Sequence, residues 1–429
     1  MKRLLFSLCL PFWALSLFAQ TAKEDIHNNI KLSAANYVAY IAPTEDLTPA
    51  PKNYVPFYIS TYARHGSRWL INPKHYDEPI SILRTAKEYG KLTPKGEDVL
   101  NRLEAFYPTT IKRLGELTTV GERQHHGIGK RLTEHFPEVF SGNAQVDARS
   151  TVVIRCILSM EAECEEIAQF NNKIKFHNDV SESLQYYLNQ DRNKVVQAAH
   201  EKYRPIRSDY YQKLIQPRRF MGELFNDQEY VYNNLNAIEF MIRMFDICSN
   251  MQSHDSDIDF YDLFTEEECY NIWKAGNIGW YIGYGPAPQS DGIACFSQEN
   301  LLTNIIETAD SIVDNRNYNG ATLRFGHEVC VLPLACLLEL DNYGKQYYDL
   351  DTLDEHWANY NIFPMASNIQ LVFYRPKKGD GDILVKALLN EKEVSLPIQT
   401  DNYPYYKWND LRSYYVQKLK AYHEKYGTK

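Results

Sequence analysis

The chain has 429 residues, of which 44% are hydrophobic, and a net charge of −9 at pH 7. This length exceeds the usual single domain, so we expect a globular protein with one large two-lobed unit or with two domains. Nucleic acid is a poor candidate partner because an acidic surface repels polyanions at long range. Any site that binds a small anion must therefore be a local basic pocket in an acidic exterior.

The first segment has the pattern of a secretory signal peptide. Lys2 and Arg3 precede an apolar stretch over residues 4–18, and Ala19 is a small residue before a cleavage point. We expect residues 1–19 to be removed on export to the periplasm or the extracellular space. Removal leaves 44 basic against 55 acidic residues and a net charge of −11. No later run of about 18 apolar residues occurs, so no membrane association is expected for the mature chain.

Seven cysteines follow Cys9, which lies in the predicted signal peptide. An odd number leaves at least one thiol unpaired in each chain. Export permits disulfides, but the sequence leaves the pairing open, and several of these cysteines are equally explained as small buried apolar residues.

Apolar runs rich in β-branched and aromatic residues alternate with helical patterns along the chain. The predicted strands are Phe57 to Tyr62, Thr322 to Phe325 and Asn368 to Tyr374. Helices are expected after Gly121 and after Thr151. Residues 380–382 read Asp-Gly-Asp and predict the turn of a late hairpin. The alternation predicts an α/β fold with a mixed central sheet flanked by helices.

The middle of the chain has a different character. From Cys164 to Ser297 the sequence turns to helix-like stretches separated by polar turns, among them Val231 to Asn250 and Thr265 to Lys274. We interpret residues 164–297 as a mainly α-helical cap inserted into the core. The catalytic core is then formed by residues 20–163 and 298–429.

One tract carries the strongest chemical signal. Residues 62–69 read Tyr-Ala-Arg-His-Gly-Ser-Arg-Trp and follow directly on a predicted strand. Arg64 and Arg68 carry guanidinium groups that match phosphate oxygens bidentately, and the neutral imidazole of His65 can attack phosphorus. The positive neighbours disfavour the imidazolium, so we expect the pKa of His65 to lie below about 6.5. An Arg-His-Gly tripeptide alone is equally compatible with an exposed turn.

This tract resembles the Arg-His-Gly-x-Arg signature of the histidine phosphatase superfamily, in the branch of acid phosphatases, phytases and multiple inositol polyphosphate phosphatases. Three later segments are similar to motifs of the same family and come in the same order. They are Leu117 to His125, Arg149 to Ala162 and Leu323 to Glu328. The resemblance spans roughly residues 54–375, most of the mature chain.

The resemblance implies a phosphoglycerate mutase-like core and a phosphatase that needs neither a metal nor a cofactor. The implied site residues are His65 as the nucleophile, Glu328 as the general acid, His327 as a donor to the transferring phosphoryl group, and Arg64, Arg68 and Arg155 as the phosphate clamp. A bound phosphate dianion and partial burial are expected to raise the pKa of Glu328 from about 4.3, so we expect activity in acidic to neutral solution.

The pair of His327 and the expected general acid, Glu328, differs from the corresponding motifs of the family. Acid phosphatases and phytases of this family have His-Asp, and the inositol polyphosphate phosphatases typically have His-Ala-Glu, whereas His327 and Glu328 are adjacent here. The favoured substrates are small phosphomonoesters, with phytate and other inositol phosphates first and a broad-specificity acid phosphatase as the close alternative. A phosphoglycerate mutase-like transferase and a non-catalytic phosphate-binding protein remain open, although export argues against the mutase.

Two metal motifs are incomplete. His327 and Glu328 begin like a zinc-protease helix, but Val331 occupies the position of the second histidine ligand. A calcium-loop pattern of acids begins at Asp255, but Phe260 stands where the sharp turn needs Gly. His125 and His126 are adjacent and point apart on a helix, so we expect surface and packing roles rather than a metal pair.

Overall fold

A mixed β-sheet forms the centre of the described part of the chain, which in this computed structural model comprises residues 21–190 and 193–427. The strands are β1 (Tyr54–Arg64), β2 (Gln145–Ser150), β3 (Lys175–Asp179), β4 (Gly320–Gly326), β5 (Asn368–Pro376), β6 (Leu384–Leu389), β7 (Lys392–Val394) and β8 (Tyr406–Lys407). Their order is β3-β2-β4-β1-β5-β6-β7, with β8 paired to β6. β3, β2, β4 and β1 are mutually parallel, whereas β5 and the strands beyond it pair antiparallel.

The described residues also form helices, some of which cover the two faces of the sheet while others form a lobe beside it. They are α1 (Ala22–Asn28), α2 (Lys74–Glu88), α3 (Pro94–Phe106), α4 (Thr119–His135), α5 (Ile154–Phe170), α6 (Gln185–Leu188), α7 (Lys194–Leu214), α8 (Arg218–Leu224), α9 (Gln228–Asn234), α10 (Ala237–Asn250), α11 (Glu266–Tyr284), α12 (Glu299–Val313), α13 (Glu328–Leu337) and α14 (Trp408–Tyr426). The predicted strands are found in β1, β4 and β5, and the helices expected after Gly121 and Thr151 are α4 and α5. The predicted hairpin is the antiparallel pair β5 and β6.

Side chains of β1 alternate between two hydrophobic cores. Tyr58 and Tyr62 pack into the larger core, which includes apolar residues of α12, α13 and α14. Ile59 and Ala63 pack on the opposite face, against apolar residues of α4 and α5. Because successive side chains of a strand point to opposite faces, both faces of this central strand are covered.

A third hydrophobic cluster forms a helical lobe. It joins α2 and α3 to α8 and α10 through buried residues such as Leu83, Leu100, Leu224 and Phe245. Helices that lie between β1 and β2 in the chain therefore contribute to this lobe together with the predicted insertion at 164–297. That range also contains β3, which pairs with β2, and residue 164 falls inside α5. The division into core and cap at these boundaries stays a prediction.

The N-terminal prediction lies outside the described residues, because they begin at residue 21. Within the described ranges, no helix has both the length and the apolar character that a membrane span requires. The seven cysteines after Cys9 are all free thiols with buried side chains. Burial raises the pKa of several of them, to about 12 for Cys156, so these thiols pack as small apolar residues.

α4 and α5 approach each other closely at Gly129. A Cβ atom at this position would lie 2.7 Å from the carbonyl oxygen of Glu163. Gly127, two residues earlier in the same helix, faces only the end of the flexible Arg131 side chain, 3.0 Å from its Nη1. Helix packing therefore requires glycine at position 129 but not at position 127.

We expect Gly129→Ala to lower the free energy of unfolding by about 1–3 kcal/mol, because the added methyl group forces the helices apart. Gly127→Ala is the matched control, and it should be neutral or raise that free energy by up to about 1 kcal/mol because alanine has the higher helix propensity. Urea unfolding of the two variants measures both values. Equal effects would contradict the helix contact assigned to Gly129.

Candidate active site

The predicted site residues come together at the carboxyl ends of parallel strands. Arg64 is the last residue of β1, and His65 follows it. His327 and Glu328 follow β4, and Arg155 lies in the first turn of α5, which follows β2. Since β4 lies between β1 and β2 in the sheet, the ends of these three strands are neighbours. The carboxyl edge of parallel strands is where ligands bind in α/β folds.

Hydrogen bonding determines which nitrogen of His65 is reactive. Its Nδ1 lies 2.8 Å from the carbonyl oxygen of Gly66, and a carbonyl can only accept, so Nδ1 carries the proton. Nε2 then has a free lone pair, and among the described residues it has no hydrogen-bond partner. Burial and then the arginine charges, that of Arg155 foremost, lower the pKa of His65 well below its ordinary value. The predicted direction is confirmed, with burial as its larger cause.

The loop after His65 is held against the start of α4. A Cβ atom on Gly66 would lie 2.4 Å from the carbonyl oxygen of Gly121, so this contact needs glycine at both positions. Thr118 caps α4 by accepting from Gly121 N at 3.1 Å, and its hydroxyl donates to Ser67 O at 3.1 Å. Gln124 Oε1 accepts from Ser67 N at 2.9 Å. The sequence predicts a helix here, and the structure shows that the start of this helix also fixes the loop after His65.

Arg64 is fully buried beside His65. Its Nη1 donates to the carbonyl oxygens of Asn36 at 2.6 Å and Phe363 at 2.9 Å. Its Nε lies 3.2 Å from Oε2 of Glu328 in an ion pair. Nη2 has no hydrogen-bond partner among the described residues. A buried donor without a partner is unfavourable, and a bound anion would satisfy it.

Arg68 and Arg155 add two further guanidinium groups. Nη1 of Arg68 donates to Trp69 O at 3.0 Å, and its Cζ lies 5.5 Å from the centre of the Tyr37 ring. Nη1 of Arg155 donates to Gly115 O at 3.2 Å. Each leaves its Nε buried and without a partner in the described part of the chain. The three predicted arginines thus share one property, which is unused donor capacity suited to phosphate oxygens.

His327 lies across from His65 at the N-cap of α13. The two imidazole rings are 5.6 Å apart between centroids, with an interplanar angle of 71°. Nε2 of His327 lies 3.4 Å from the hydroxyl of Thr151, and Sγ of Cys156 lies 3.9 Å from both ring nitrogens. Burial lowers the pKa of His327 to about 4. The ring is therefore neutral near neutral pH and has one N–H to donate.

The carboxyl group of Glu328 lies close to His65. Its Oε2 lies 3.8 Å from Nε2 of His65. Burial raises the pKa of Glu328, but the charges of Arg64 and Arg68 outweigh burial and lower the pKa to about 2. The raised pKa expected from the sequence refers to the carboxyl group beside a bound phosphate and stays a prediction, whereas in the chain by itself the neighbouring arginines lower this pKa.

Three of these side chains have the geometry of a metal site. His65, His327 and Glu328 each offer one ligand atom, and these atoms lie within 4.8 Å of one another. The guanidinium groups of Arg64 and Arg68 lie beside them and repel a cation at this distance. The charge of the site therefore favours phosphate over a metal ion.

The segment that covers the arginines from the N-terminal side was not predicted from the sequence. The 3₁₀ helix Ile30–Tyr37 supplies the Asn36 carbonyl to Arg64 and the Tyr37 ring to Arg68. Burial, together with the charge of Asp246, raises the pKa of Tyr37 to about 12, so its phenol keeps its proton. No sequence motif indicates these two residues. Asn36 acts through its backbone carbonyl, and Tyr37 contacts Arg68 only because the chain folds back over the site.

A comparison with protein families decides the classification. The model of the histidine phosphatase superfamily (branch 2) matches residues 60–390. The chain belongs to the histidine phosphatase superfamily. The match includes the tract around His65 and the pair His327 and Glu328, and membership is consistent with a phosphoric monoester hydrolase. No curated protein sequence matches the chain.

Solved structures share the fold of this histidine phosphatase. The multiple inositol polyphosphate phosphatase of Bifidobacterium longum, in complex with phosphate, aligns with a TM-score of 0.74 at 18% identity, covering 90% of this chain and 98% of that one. The phytase from D. castellii aligns with a TM-score of 0.71 at 13% identity, covering 94% of this chain and 89% of that one. These likenesses confirm the predicted α/β fold with its mixed sheet and flanking helices.

The lowered pKa values predict a specific pH profile. A histidine whose pKa is lowered by folding gains its proton only below that lowered value, so both imidazoles stay neutral in mildly acidic solution. We expect kcat/KM for an aryl phosphate to hold steady from about pH 7 to about pH 5, and to fall only in more acidic solution, where the buried imidazole of His65 gains its proton. Arg155→Gln should move this acid limb to higher pH. An acid limb centred near 6.5, the ordinary value, would contradict the assignment.

Proposed function

We propose that this histidine phosphatase hydrolyses inositol polyphosphates, including phytate, through a phosphohistidine on His65. One observation carries the proposal: the lone pair of His65 Nε2 is buried and unpartnered beside three arginines that have unused donors. Support for the substrate class comes from the fold, because its solved neighbours are named as phytases and as a multiple inositol polyphosphate phosphatase, one of them in complex with inositol hexasulfate.

The first chemical step transfers the phosphoryl group to the enzyme. Nε2 of His65 attacks phosphorus, and the bond from phosphorus to the departing oxygen breaks. Arg64, Arg68 and Arg155 stabilise the charge that spreads over the phosphoryl oxygens, and His327 donates its N–H to one of them. The bond from Nδ1–H to the Gly66 carbonyl stabilises the imidazole as it becomes positively charged.

Glu328 supplies the proton for the departing alkoxide. In the chain alone the arginines keep its carboxyl ionised. A bound phosphate dianion neutralises the arginines and adds negative charge beside the carboxylate, and both effects raise its pKa. Substrate binding is therefore accompanied by proton uptake at Glu328. The resulting carboxylate then accepts a proton from the water that attacks the phosphohistidine.

The proposed setting is outside the cytoplasm. It rests on the charged and apolar pattern of residues 1–19, followed by a mature chain of net charge −11. An acidic exterior with a buried basic site suits a small phosphorylated substrate and disfavours nucleic acid.

Replacement of the nucleophile tests the proposal first. We expect His65→Ala to abolish phosphate release from phytate and from an aryl phosphate, with EDTA present throughout, and to abolish an acid-labile phosphoenzyme. His177→Ala is the matched control, because this exposed histidine lies on the edge strand β3. Release from the aryl ester alone would favour a broad-specificity acid phosphatase. A phosphoenzyme that persists in His65→Ala would refute the assignment of the nucleophile.

Replacement of the acid tests the proton transfer. We expect Glu328→Gln to lower kcat for phytate by about 10² to 10⁴, and to lower it much less for an aryl phosphate whose leaving group needs no proton. KM should not rise, because the change removes the negative charge that Glu328 carries before the phosphate binds. Steady-state kinetics on both substrates measures the contrast. Equal losses on the two substrates would contradict the role of general acid.

A further inference from the structure

Two adjacent histidines of α4 have different environments. His126 lies on the outer side of the helix, 28% exposed, with its Nδ1 2.9 Å from Oε1 of Glu166. His125 is fully buried between α4, α5 and the end of β1. The surface and packing roles expected from the sequence agree with these positions. The contacts of His125, however, go beyond packing.

His125 connects a buried carboxyl group to the backbone beside the nucleophile. Its Nε2 lies 3.0 Å from the carbonyl oxygen of Arg64, and its Nδ1 lies 3.1 Å from Oε2 of Glu163. Both side chains are almost completely buried, at 0% and 2% exposure. The Arg64 carbonyl can only accept, so Nε2 of His125 carries a proton.

The proton between Nδ1 of His125 and Glu163 does not affect the hydrogen bond from Nε2 of His125 to the Arg64 carbonyl. If Glu163 is ionised, His125 is an imidazolium that donates from both nitrogens. If Glu163 is protonated, its hydroxyl donates to Nδ1 and the imidazole is neutral. Nε2 donates to Arg64 in both cases, and the pair has no net charge in either, which suits a buried site.

The bonded carbonyl belongs to the peptide group that joins Arg64 to His65. The amide of His65 in this same peptide donates to Gly326 O at 3.0 Å, and the amide of Arg64 donates to Ser367 O at 2.7 Å. The backbone at the nucleophile is therefore held by β4 on one side, by the residue before β5 on another, and by His125 from α4. The direction of the His65 side chain depends on this peptide.

We propose that His125 and Glu163 form a positioning pair that fixes the Arg64–His65 peptide and thereby aims Nε2 of His65 at phosphorus. The proposal deepens and rests on the proposed function of His65. His125 does not touch the reacting atoms, so it is a positioning residue. Misplacement of a reacting group by about 1 Å costs on the order of 10² in rate, so loss of the pair should lower kcat by about 10- to 100-fold.

Two amide variants separate the contact to Arg64 from the rest of the site. In His125→Gln the side-chain amide reaches the place of Nε2 and can donate to the Arg64 carbonyl. In His125→Asn the amide reaches only the place of Nδ1. We expect His125→Asn to lower kcat by about 10- to 100-fold with KM changed by less than about threefold, and His125→Gln to keep kcat within about threefold. The control His126→Asn should leave both constants unchanged.

A spectroscopic measurement tests the same pair without relying on turnover. Long-range ¹H–¹⁵N spectra of histidine-labelled protein report the tautomer of His65, whose signals are assigned by their loss in His65→Ala. We expect the Nδ1-protonated tautomer in the unsubstituted protein and in His125→Gln, and a mixture of tautomers in His125→Asn. If the unsubstituted protein releases no phosphate, the proposed function fails while these spectra still decide the positioning role.

Three outcomes would overturn the proposal. The first is an equal loss of kcat in His125→Asn and His125→Gln. The second is a His125→Asn variant that matches the His126→Asn control in both kcat and the His65 tautomer. The third is failure of both His125 variants to fold, which would assign the pair to folding rather than to positioning.

Discussion

The burial of the Arg64 guanidinium is the constraint on which this site depends. A buried charge is tolerated only when hydrogen bonds and an opposite charge compensate for lost hydration. Asn36 and Phe363, far apart in the sequence, supply carbonyl acceptors, and Glu328 supplies the opposite charge. The N-terminal 3₁₀ helix, the segment before β5 and the start of α13 therefore meet around one side chain. Burial of His65 itself and the charges of Arg155 and Arg64 keep the imidazole of His65 neutral.

The sheet topology makes this assembly possible. Parallel strands place residues that follow β1, β4 and β2 at one edge, although these strands are separated in the chain by long helical segments. The close contact of Gly66 with Gly121 then fixes how near the loop and α4 can come. A side chain at either position would displace the loop that carries His65, so the site depends on the absence of two side chains as much as on the charged groups themselves.

The sequence predicted the elements that are formed by contiguous residues. Strand β1 and the charged residues that follow it were predicted correctly, because the apolar run and the charged turn are adjacent in the sequence. The stretch Val231 to Asn250 was predicted as one helical segment but forms two helices, since the Asn236 side chain caps α10 by accepting from Glu239 N. The pairing of His125 with Glu163 could not be predicted from the sequence, because it depends on how α4 packs against α5.

The two pKa values at the centre of the site are lowered by different causes, and this difference matters for catalysis. His65 is held neutral chiefly by burial, which a bound phosphate does not remove. Glu328 is held ionised by arginine charges against the effect of burial, and a phosphate dianion neutralises those charges. In the proposed reaction, burial continues to disfavour the charged form of His65 when the anion binds, while neutralisation of the arginines raises the pKa of Glu328. Adjacent groups in a single electrostatic field can in this way take opposite protonation states when the substrate arrives.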